Sequence, residues 1–247
     1  IIKRSIFFQR PLKSVKEMIG CCEFEKGRKR APAALLIAQR SRLLQNINNL
    51  ASIDGETGEV LALDENARKA LTDRLETQGE MAFSAVKKLL GLAKETTFNL
   101  EEGGNERLLG NRTGAKLASI FGEERWRSMP EQEKDLVVED LLSIQNEGAL
   151  KRRGMKRWEL DEAAADKFSQ LELEPGYSRL SRQALAKIVP LLEQGKPYMT
   201  AVKELYGITS SEPAKDELPP LTEALPELRN PAVSRCLTEL RKVVNAI

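Results

Sequence analysis

The sequence contains no histidine among its 247 residues. This absence excludes the Ser-His-Asp and Cys-His arrangements of covalent hydrolases, zinc sites built on imidazole and the commonest general base of enzymes. Cysteine is nearly as scarce: Cys21, Cys22 and Cys236 form no CxxC motif, and adjacent cysteines are poorly placed for a disulfide. We therefore expect reduced thiols, as in a cytoplasmic protein.

Aromatic residues make up only 5% of the chain, which argues against a surface of stacked bases like that of an RNA-recognition motif. No apolar run is long enough to cross a bilayer, and no secretory signal is visible. The pair Gly103-Gly104 has no Lys-Ser/Thr after it, and the pair Glu123-Glu124 lacks the spaced partners of a metal site. We expect a chain with no catalytic residues, no cofactor and no membrane contact.

What the chain does have is an uneven distribution of charge. Its 39 basic and 37 acidic residues almost cancel. Residues 1–50 nevertheless hold eleven Lys or Arg against three acidic residues, and the rest of the chain is net acidic. This asymmetry indicates one surface that faces a polyanion and another that faces solvent.

Residues 27–50 concentrate that positive charge. Apolar residues recur there near helical spacing, and Pro32 is well placed to open the helix because no N–H is needed at its first turn. Cations suit phosphates and amides suit sugars or base edges. On composition alone, a solvated surface helix explains the same residues. The candidate contacts are Arg28, Lys29, Arg30, Arg40, Arg42, Asn46 and Asn49.

Two further basic sets lie on predicted helices. Arg152, Arg153, Lys156 and Arg157 share one helical face, and Leu150, Met155 and Trp158 are expected to point inward from the other. The alternative is a solvated face near a helix C-terminus, where cations suit the dipole. The second set, at a helix start that favours phosphate, is Ser178, Arg179, Ser181 and Arg182, although Ser181 is also an ordinary N-cap.

Periodicity and capping residues predict a mostly α fold, an irregular multi-helix domain with one small β-hairpin. The hairpin pairs residues 50–53 with 60–63 across a turn that contains Gly55 and Gly58. Residues 98–100 are a candidate third strand, and no other sheet is expected. Helices are predicted at residues 64–78, 83–90, 111–121, 130–145, 147–158, 161–171, 181–195, 197–207 and from 231 onward.

Composition divides the chain into three parts. Residues 1–207 form one helical domain, with a candidate sub-boundary near 101–110. Residues 208–229 are acidic and proline-rich, as in a surface linker, and 230–247 begin a last helix. Because Ile1 is not a methionine and Ile247 lies inside a helical pattern, we expect this chain to be a piece of a larger protein.

Several motifs resemble one known family. They are IFFQRPLKS at residues 6–14, RKRAP at 28–32, QNINNL at 45–50, SRLSRQALAKIVPLLEQGKPYMTAVKELYG at 178–207 and RNPAVSRCLTELRKVVNAI at 229–247. Together they resemble the recognition lobe of the type II CRISPR RNA-guided DNA endonucleases, the Cas9 family, most closely its compact type II-C branch. The resemblance runs in order through nearly the whole chain and is weakest across residues 60–175. The closing motif is similar to the stretch that leads into the RuvC nuclease domain.

The resemblance implies a recognition-lobe domain that cradles the guide RNA–target DNA heteroduplex by its backbone and takes part in conformational gating of cleavage. It also implies four kinds of partner: guide RNA, the target DNA strand, the bridge helix and nuclease domains of the parent protein, and an anti-CRISPR protein. Divalent metal, expected to be Mg, would belong to the parent's nuclease sites. With the basic sets above, the predicted nucleic-acid contacts are Gln9, Arg10, Lys13, Arg28, Lys29, Arg30, Arg40, Arg42, Asn46, Asn49, Arg152, Arg153, Lys156, Arg157, Ser178, Arg179, Ser181 and Arg182.

A second interpretation belongs to a different functional class. In it, the helical array is a protein-docking module that positions nuclease domains or is bound by an anti-CRISPR inhibitor, and nucleic-acid binding by the isolated chain is weak.

Overall fold

The computed structural model describes residues 18–55, 57–207, 217–225, 228 and 230–246. The chain divides into two compact units, one ending at Tyr206 and the other beginning at Gly207. Thirteen helices and five short strands occur within the described residues, which confirms the mostly α fold. The helices are α1 (Leu36–Asn48), α2 (Glu65–Leu75), α3 (Phe83–Leu90), α4 (Asn99–Glu102), α5 (Arg112–Phe121), α6 (Glu123–Ser128), α7 (Glu131–Ser143), α8 (Glu147–Arg157), α9 (Glu162–Ser169), α10 (Arg182–Glu193), α11 (Tyr198–Tyr206), α12 (Leu221–Ala224) and α13 (Pro231–Val244). The strands are β1 (Ala51–Ile53), β2 (Val60–Ala62), β3 (Glu80–Ala82), β4 (Thr97–Phe98) and β5 (Arg107–Leu109).

Helix α1 contributes to both hydrophobic cores of the first unit. Ala38 and Leu44 pack into the larger core, whereas Leu43 and Ile47 pack into the smaller one. Because a helix presents residues 3.6 apart on one face, these two pairs lie on different sides of α1. The helix that carries several predicted contacts is therefore also a central structural element.

The prediction that Pro32 opens this helix is wrong. Helix α1 begins at Leu36, and Pro32 instead forms an isolated bridge with Tyr177. The Ala31 N–H donates to the Leu180 carbonyl at 2.8 Å, and the Ala31 carbonyl accepts from the Ser178 N–H at 2.8 Å. This pairing with a distant segment keeps the backbone extended through Pro32, so tertiary contacts override the local preference.

The larger core is built mainly by helices α5 to α11. The Phe121 ring lies 5.6 Å from Trp126 and 6.1 Å from Phe168, measured between centroids. Helix α10 adds Leu185 and Ile188, both almost fully buried. Burying each of these side chains stabilises the fold by roughly 1.5–3 kcal/mol.

The predicted hairpin is confirmed, with Ala51 opposite Ala62 and Ile53 opposite Val60. The predicted third strand, residues 98–100, is confirmed only in part. Strand β4 pairs antiparallel with β1 and gives the order β2-β1-β4, but residues 99 and 100 belong to helix α4. The expectation of a single sheet is wrong, since β3 and β5 form a second, two-stranded antiparallel sheet. Each of these two strands has three residues, and no short turn joins them, so no hairpin pattern marks them in the sequence.

Most predicted helix starts are confirmed by their caps. The side chains of Asp64, Asp161 and Ser181 accept a hydrogen bond from the N–H three residues later. Three helices were not predicted: α4, α6 and α12. Helix α6 begins after Gly122, whose φ of 87° breaks the chain direction at the end of α5.

The second unit is described only from residue 217 onward, and there with gaps. Helix α12 lies inside the predicted linker, and helix α13 begins at Pro231 as predicted. The Asn245 side chain accepts from the Leu218 N–H at 2.8 Å, and Arg241 donates to the Leu218 carbonyl at 2.7 Å. Among the helices of the described residues, none is long and apolar enough to span a membrane. The three-part domain division stays a prediction.

Candidate nucleic-acid interface

The first basic segment folds as a tight loop. The Cys22 N–H donates to the Arg28 carbonyl at 2.7 Å, and the Arg30 N–H donates to the Gly20 carbonyl at 3.0 Å. Gly27 occupies the turn with a φ of 75°, a conformation that favours glycine. Lys29 and Arg30 donate their side-chain N–H groups to backbone carbonyls, which holds the side chains without neutralising their charge.

The second basic segment pairs directly with this loop. The Glu23 N–H donates to the Arg179 carbonyl at 3.3 Å, beyond which the two hydrogen bonds of Ala31 continue the pairing. Two predicted sets that lie about 150 residues apart in sequence are therefore neighbours in space. Their cations are exposed to solvent, although Arg182 also pairs with Glu139 of α7. We call the surface formed by residues 26–30 and 178–182 the basic junction.

The serines of the second segment are used within the fold. Ser181 is 3% exposed and caps α10 by accepting from the Ala184 N–H at 3.2 Å. The Ser178 hydroxyl donates to the Leu180 carbonyl at 2.7 Å and accepts from the Leu180 N–H at 3.0 Å. These bonds shape the backbone beside Arg179, and direct contact of either serine with a phosphate stays a prediction.

A carboxylate clamps the loop onto α10 and α11. Glu25 accepts from the Lys187 ammonium at 2.6 Å and from the Tyr206 hydroxyl at 3.1 Å, and Phe24 stacks on Tyr206 at 4.9 Å. The hydrogen bond from Lys187 lowers the pKa of Glu25. Burial, together with the bond to Glu25, raises the pKa of Tyr206 to about 12. Near neutral pH, Glu25 is therefore an ionised carboxylate and Tyr206 is a neutral phenol.

The thiol of Cys22 makes a second contact that holds the loop in place. Its sulfur accepts from the Ser181 N–H at 3.1 Å and from the Glu25 N–H at 3.4 Å. Although burial opposes the change, hydrogen bonding by the Ser181 side chain and by these backbone N–H groups lowers the pKa of the thiol. The loop is thus tied to the start of α10 by one sulfur atom as well as by the backbone pairing.

The α1 arginines occupy internal ion pairs. Arg40 lies 2.6 Å from Glu76 and 2.7 Å from Glu193, and Arg42 lies 2.7 Å from Glu174. About a third of each arginine side chain remains exposed. Among the α1 amides, Asn46 is half-buried and Asn49 is exposed at the helix end. Nucleic-acid contact by these residues stays a prediction, since each arginine already has a counter-charge.

The four cations of α8 differ in their contacts. Arg152, Lys156 and Arg157 are exposed, and Arg157 stacks over the Trp158 ring at 4.7 Å. Arg153 instead turns to the buried Asp140, which it contacts at 2.9 Å. Leu150 and Trp158 are buried as predicted, but Met155 is 43% exposed, so its predicted inward orientation is wrong.

A family model of the Cas9 alpha-helical lobe domain matches residues 13–216. This chain belongs to the Cas9 alpha-helical lobe family. The predicted resemblance is therefore confirmed. The described part of the lobe carries three basic sets: the basic junction, the α1 arginines and the α8 cations.

Three relatives show the extent of the likeness. The endonuclease Cas9 of Campylobacter jejuni is 28% identical over 248 residues, which cover 98% of this lobe and 24% of the relative. A crystal structure of that Cas9 with sgRNA and target DNA matches with a TM-score of 0.57 and 26% identity, covering 98% of this chain and 31% of the other. The type II-C Cas9 of Actinomyces naeslundii matches with a TM-score of 0.59 at 19% identity, covering 96% of this chain and 24% of the other. St1Cas9 in complex with sgRNA and AcrIIA6 matches with a TM-score of 0.58 at 18% identity, covering 93% of this chain and 29% of the other.

The lobe spans about a quarter of the length of the Campylobacter jejuni relative. The likenesses at 19% and 18% identity show the fold alone. The predicted contacts Gln9, Arg10 and Lys13 lie outside the described residues.

Sequence reasoning missed one cation within the basic junction of the lobe and one beside it. Lys26 belongs to the loop itself, and its position beside the Arg28–Arg30 run was the available signal. Lys187 reaches the loop through Glu25, its partner 162 residues away. No local pattern marks Lys187, because its place in the interface depends on a long-range contact.

Low pH is expected to weaken the ion pair between Arg42 and Glu174 in the lobe. The hydrogen bond from Arg42, with help from Gln39 and against partial burial, lowers the pKa of Glu174 to about 2. A carboxylate with a folded-state pKa below its unfolded value of 4.5 gives its full stabilisation above that pH and loses it as the pH falls towards 2. We expect the Arg42–Glu174 ion pair to contribute about 1 kcal/mol to the free energy of unfolding at neutral pH, because solvent screens both groups.

Urea unfolding of the chain and of Glu174→Gln, from neutral pH to about pH 3, measures this contribution. The difference in unfolding free energy between the two proteins should shrink as the pH falls. A difference that stays constant over this range contradicts the assignment.

Proposed function

We propose that this chain is the recognition-lobe portion of an RNA-guided DNA endonuclease, in which it binds guide RNA and the guide–target heteroduplex through their sugar–phosphate backbones. The observation that carries the proposal is the basic junction, where two cationic segments distant in sequence are paired by backbone hydrogen bonds. Membership of the Cas9 lobe family supports it.

The chemistry of the junction fits phosphates better than bases. Arginine guanidinium groups donate paired N–H groups to phosphate oxygens, and lysine supplies a mobile positive charge. Backbone contacts of this kind position a duplex without reading its sequence. In this proposal the sequence is read by base pairing between guide and target, and the lobe recognises the shape of the hybrid.

Cleavage lies outside this chain in the proposal. The sequence has no histidine to serve as general base, and we assign cutting and its divalent metal to nuclease domains beyond these residues. The lobe would contribute to gating, because a hybrid held in the correct geometry licenses docking of a nuclease domain.

A salt series on the 247-residue chain tests this function. Fluorescence anisotropy with a labelled RNA–DNA hybrid should give a log association constant that falls linearly with log salt, with a slope steeper than about −3. That slope corresponds to release of counterions from at least three or four phosphates. Duplex DNA of the same sequence is the matched control, and it should bind more weakly because its grooves differ from those of the A-form hybrid.

Two outcomes would contradict the proposal. One is a slope near zero, and the other is the absence of saturable binding at the lowest salt. Either outcome would favour the docking-module interpretation, in which the lobe binds protein partners.

A further inference from the structure

Glu25 is an acidic residue that lies directly beside the basic junction. Lys26 follows it in the loop, and both Lys187, by its hydrogen bond, and Arg28, by its charge, lower the pKa of its carboxyl. A negative charge in this position repels the phosphates of a nucleic acid, so the field of Glu25 alone opposes binding. Any favourable contribution of Glu25 to binding must therefore come from its contacts within the protein.

The backbone of Glu25 begins the turn that carries two cations of the junction. The Arg28 N–H donates to the Glu25 carbonyl at 3.1 Å, which closes a four-residue turn over residues 25–28. Gly27 is the third residue of this turn, and its φ of 75° is one that glycine adopts without strain. A displacement of Glu25 would therefore also displace Lys26 and Arg28.

The side chain of Glu25 attaches this turn to two helices of the first unit. Its Oε1 atom accepts from the Lys187 ammonium of α10 at 2.6 Å and from the Tyr206 hydroxyl of α11 at 3.1 Å. The side chain is only 18% exposed, and the charge of Lys187 balances its own. Helix α10 is in turn held in the larger core by Leu185 and Ile188. The turn is thus fixed to a well-packed support.

A ring contact beside Glu25 acts in the same direction. Phe24 stacks on Tyr206, with 4.9 Å between the ring centroids and 23° between the planes. The Lys187 ammonium lies 5.8 Å from the centre of the same ring. Tyr206 therefore contacts the loop through its ring and through its hydroxyl, and the protein's own side chains set the position of the loop.

A turn that is already fixed loses less freedom when it binds a phosphate backbone. Phosphate contacts order the side chains and the loop that make them, and this ordering opposes association. Contacts within the protein that hold the loop reduce the conformational entropy that binding must still remove. We expect the contacts of Glu25 to strengthen binding through Lys26 and Arg28 by more than its balanced charge weakens it.

We propose that Glu25 is a positioning residue for nucleic-acid binding, which holds the turn of residues 25–28 through Lys187 and Tyr206 and does not itself contact the phosphates. This inference rests on the proposed function, because it assigns a supporting role to residues around the same basic junction. It predicts that removal of an acid from a cationic surface weakens the binding of a polyanion. A purely electrostatic role for Glu25 predicts the opposite sign.

Two alanine variants in the same loop separate these roles. Glu25→Ala removes the charge together with its contacts and should weaken hybrid binding by about tenfold. Glu23→Ala removes an equal charge at an exposed residue whose side chain makes no hydrogen bond or ion pair with the residues that the structure describes. Its affinity should stay within about twofold of the unmodified chain. Anisotropy titrations of the 247-residue chain and its variants with a labelled RNA–DNA hybrid give these affinities.

Two conservative variants test the contacts of Glu25. Glu25→Gln is as neutral as Glu25→Ala but keeps an acceptor for Lys187 and Tyr206, so it should bind at least about threefold more tightly than Glu25→Ala. Tyr206→Phe keeps the ring that stacks on Phe24 and loses only the hydroxyl, and it should weaken binding by about threefold. Its salt slope should equal that of the unmodified chain, because no phosphate contact is removed.

Hydrogen exchange of the free chain gives a readout that does not depend on nucleic acid. The Arg28 N–H donates to the Glu25 carbonyl, so it reports on the turn directly. This amide should exchange at least about fivefold faster in Glu25→Ala and at the unmodified rate in Glu23→Ala. Circular dichroism melting shows that each variant is folded at the temperature of the titrations.

Three results would overturn the positioning role. They are hybrid binding by Glu25→Ala that is as tight as that of the unmodified chain or tighter, equal losses for Glu25→Ala and Glu23→Ala, and equal affinities for Glu25→Ala and Glu25→Gln. If Glu25→Ala does not fold, Tyr206→Phe decides, and an unchanged affinity or a salt slope reduced by about one contradicts the inference.

The failure of this inference differs from the failure of the proposed function. If the unmodified chain binds the hybrid and the variants give one of these contrary results, only the positioning role of Glu25 is wrong. If the unmodified chain binds no hybrid, both are wrong, and the exchange rate of the Arg28 amide then shows only whether Glu25 holds the turn.

Discussion

An Asp140→Ala variant is expected to lose about 3 kcal/mol of unfolding free energy. Asp140 is 8% exposed and accepts from the Trp158 indole at 3.0 Å and from Arg153 at 2.9 and 3.2 Å. These bonds join α7 to α8 beside the larger core. Truncation would leave the buried indole N–H without an acceptor, which costs more than the bond itself contributes. It would also remove the counter-charge of Arg153, whose side chain is 41% exposed and can turn to water at a smaller cost.

Urea unfolding of three variants measures this effect. Asp140→Asn keeps an oxygen for the indole but loses the charge, so its loss should be intermediate. Glu139→Ala is the control, because Glu139 is the next residue on α7 and pairs with Arg182 at the surface; its loss should be below about 1 kcal/mol. Equal losses for Asp140→Ala and Glu139→Ala would show that Asp140 has no special structural role.

Neutralising Arg28, Lys29 and Arg30 together to glutamine should weaken hybrid binding by about a hundredfold at low salt, and should reduce the salt slope by up to about three. The reason is that all three cations lie on the exposed segment after the turn at Gly27, and the side-chain contacts of Lys29 and Arg30 leave their charge free for phosphates. The fold should be unaffected, since Lys29 and Arg30 contact only exposed backbone carbonyls through their side chains. Anisotropy titrations with the hybrid give the affinities, and circular dichroism gives the melting temperature.

The matched control removes the same charge elsewhere. Lys69, Lys88 and Lys94 are exposed and lie on α2, on α3 and in the loop after α3. Changing all three to glutamine should reduce affinity by less than about fivefold, because only the general field of the protein changes. If both triple variants bind equally weakly, the loop makes no specific contribution. If neither loses affinity, the protein-docking interpretation is favoured.

The parts of the fold that follow from local chemistry could be predicted from the sequence. Asp64, Asp161 and Ser181 mark helix starts because their side chains cap nearby N–H groups. The first hairpin was predictable because glycine turn chemistry lies between two short strands. The β3–β5 sheet was not predictable, because its strands pair across 27 residues without a turn motif.

The candidate site was predictable as a set of charges but not as an arrangement. The Arg28–Arg30 run and the Arg179–Arg182 segment were each visible, yet nothing local indicates that they pair. The roles of Arg42 and Arg153 were also hidden, because Glu174 and Asp140 are identifiable as their partners only in the folded structure. A count of cations cannot distinguish a free guanidinium from one with a buried counter-charge.

The long-range pairing of the basic loop also sets the order in which this surface is made during translation. The Ser181 N–H that bonds the Cys22 sulfur is synthesised 159 residues after it, and the Tyr206 hydroxyl that bonds Glu25 is synthesised 181 residues after that carboxylate. At roughly 5–20 residues per second, the ribosome needs on the order of 10–30 s to supply the first of these partners. Nascent chains that stop before the second segment carry the loop cations but lack their supporting framework, so the interface is completed only when the first unit is almost fully synthesised.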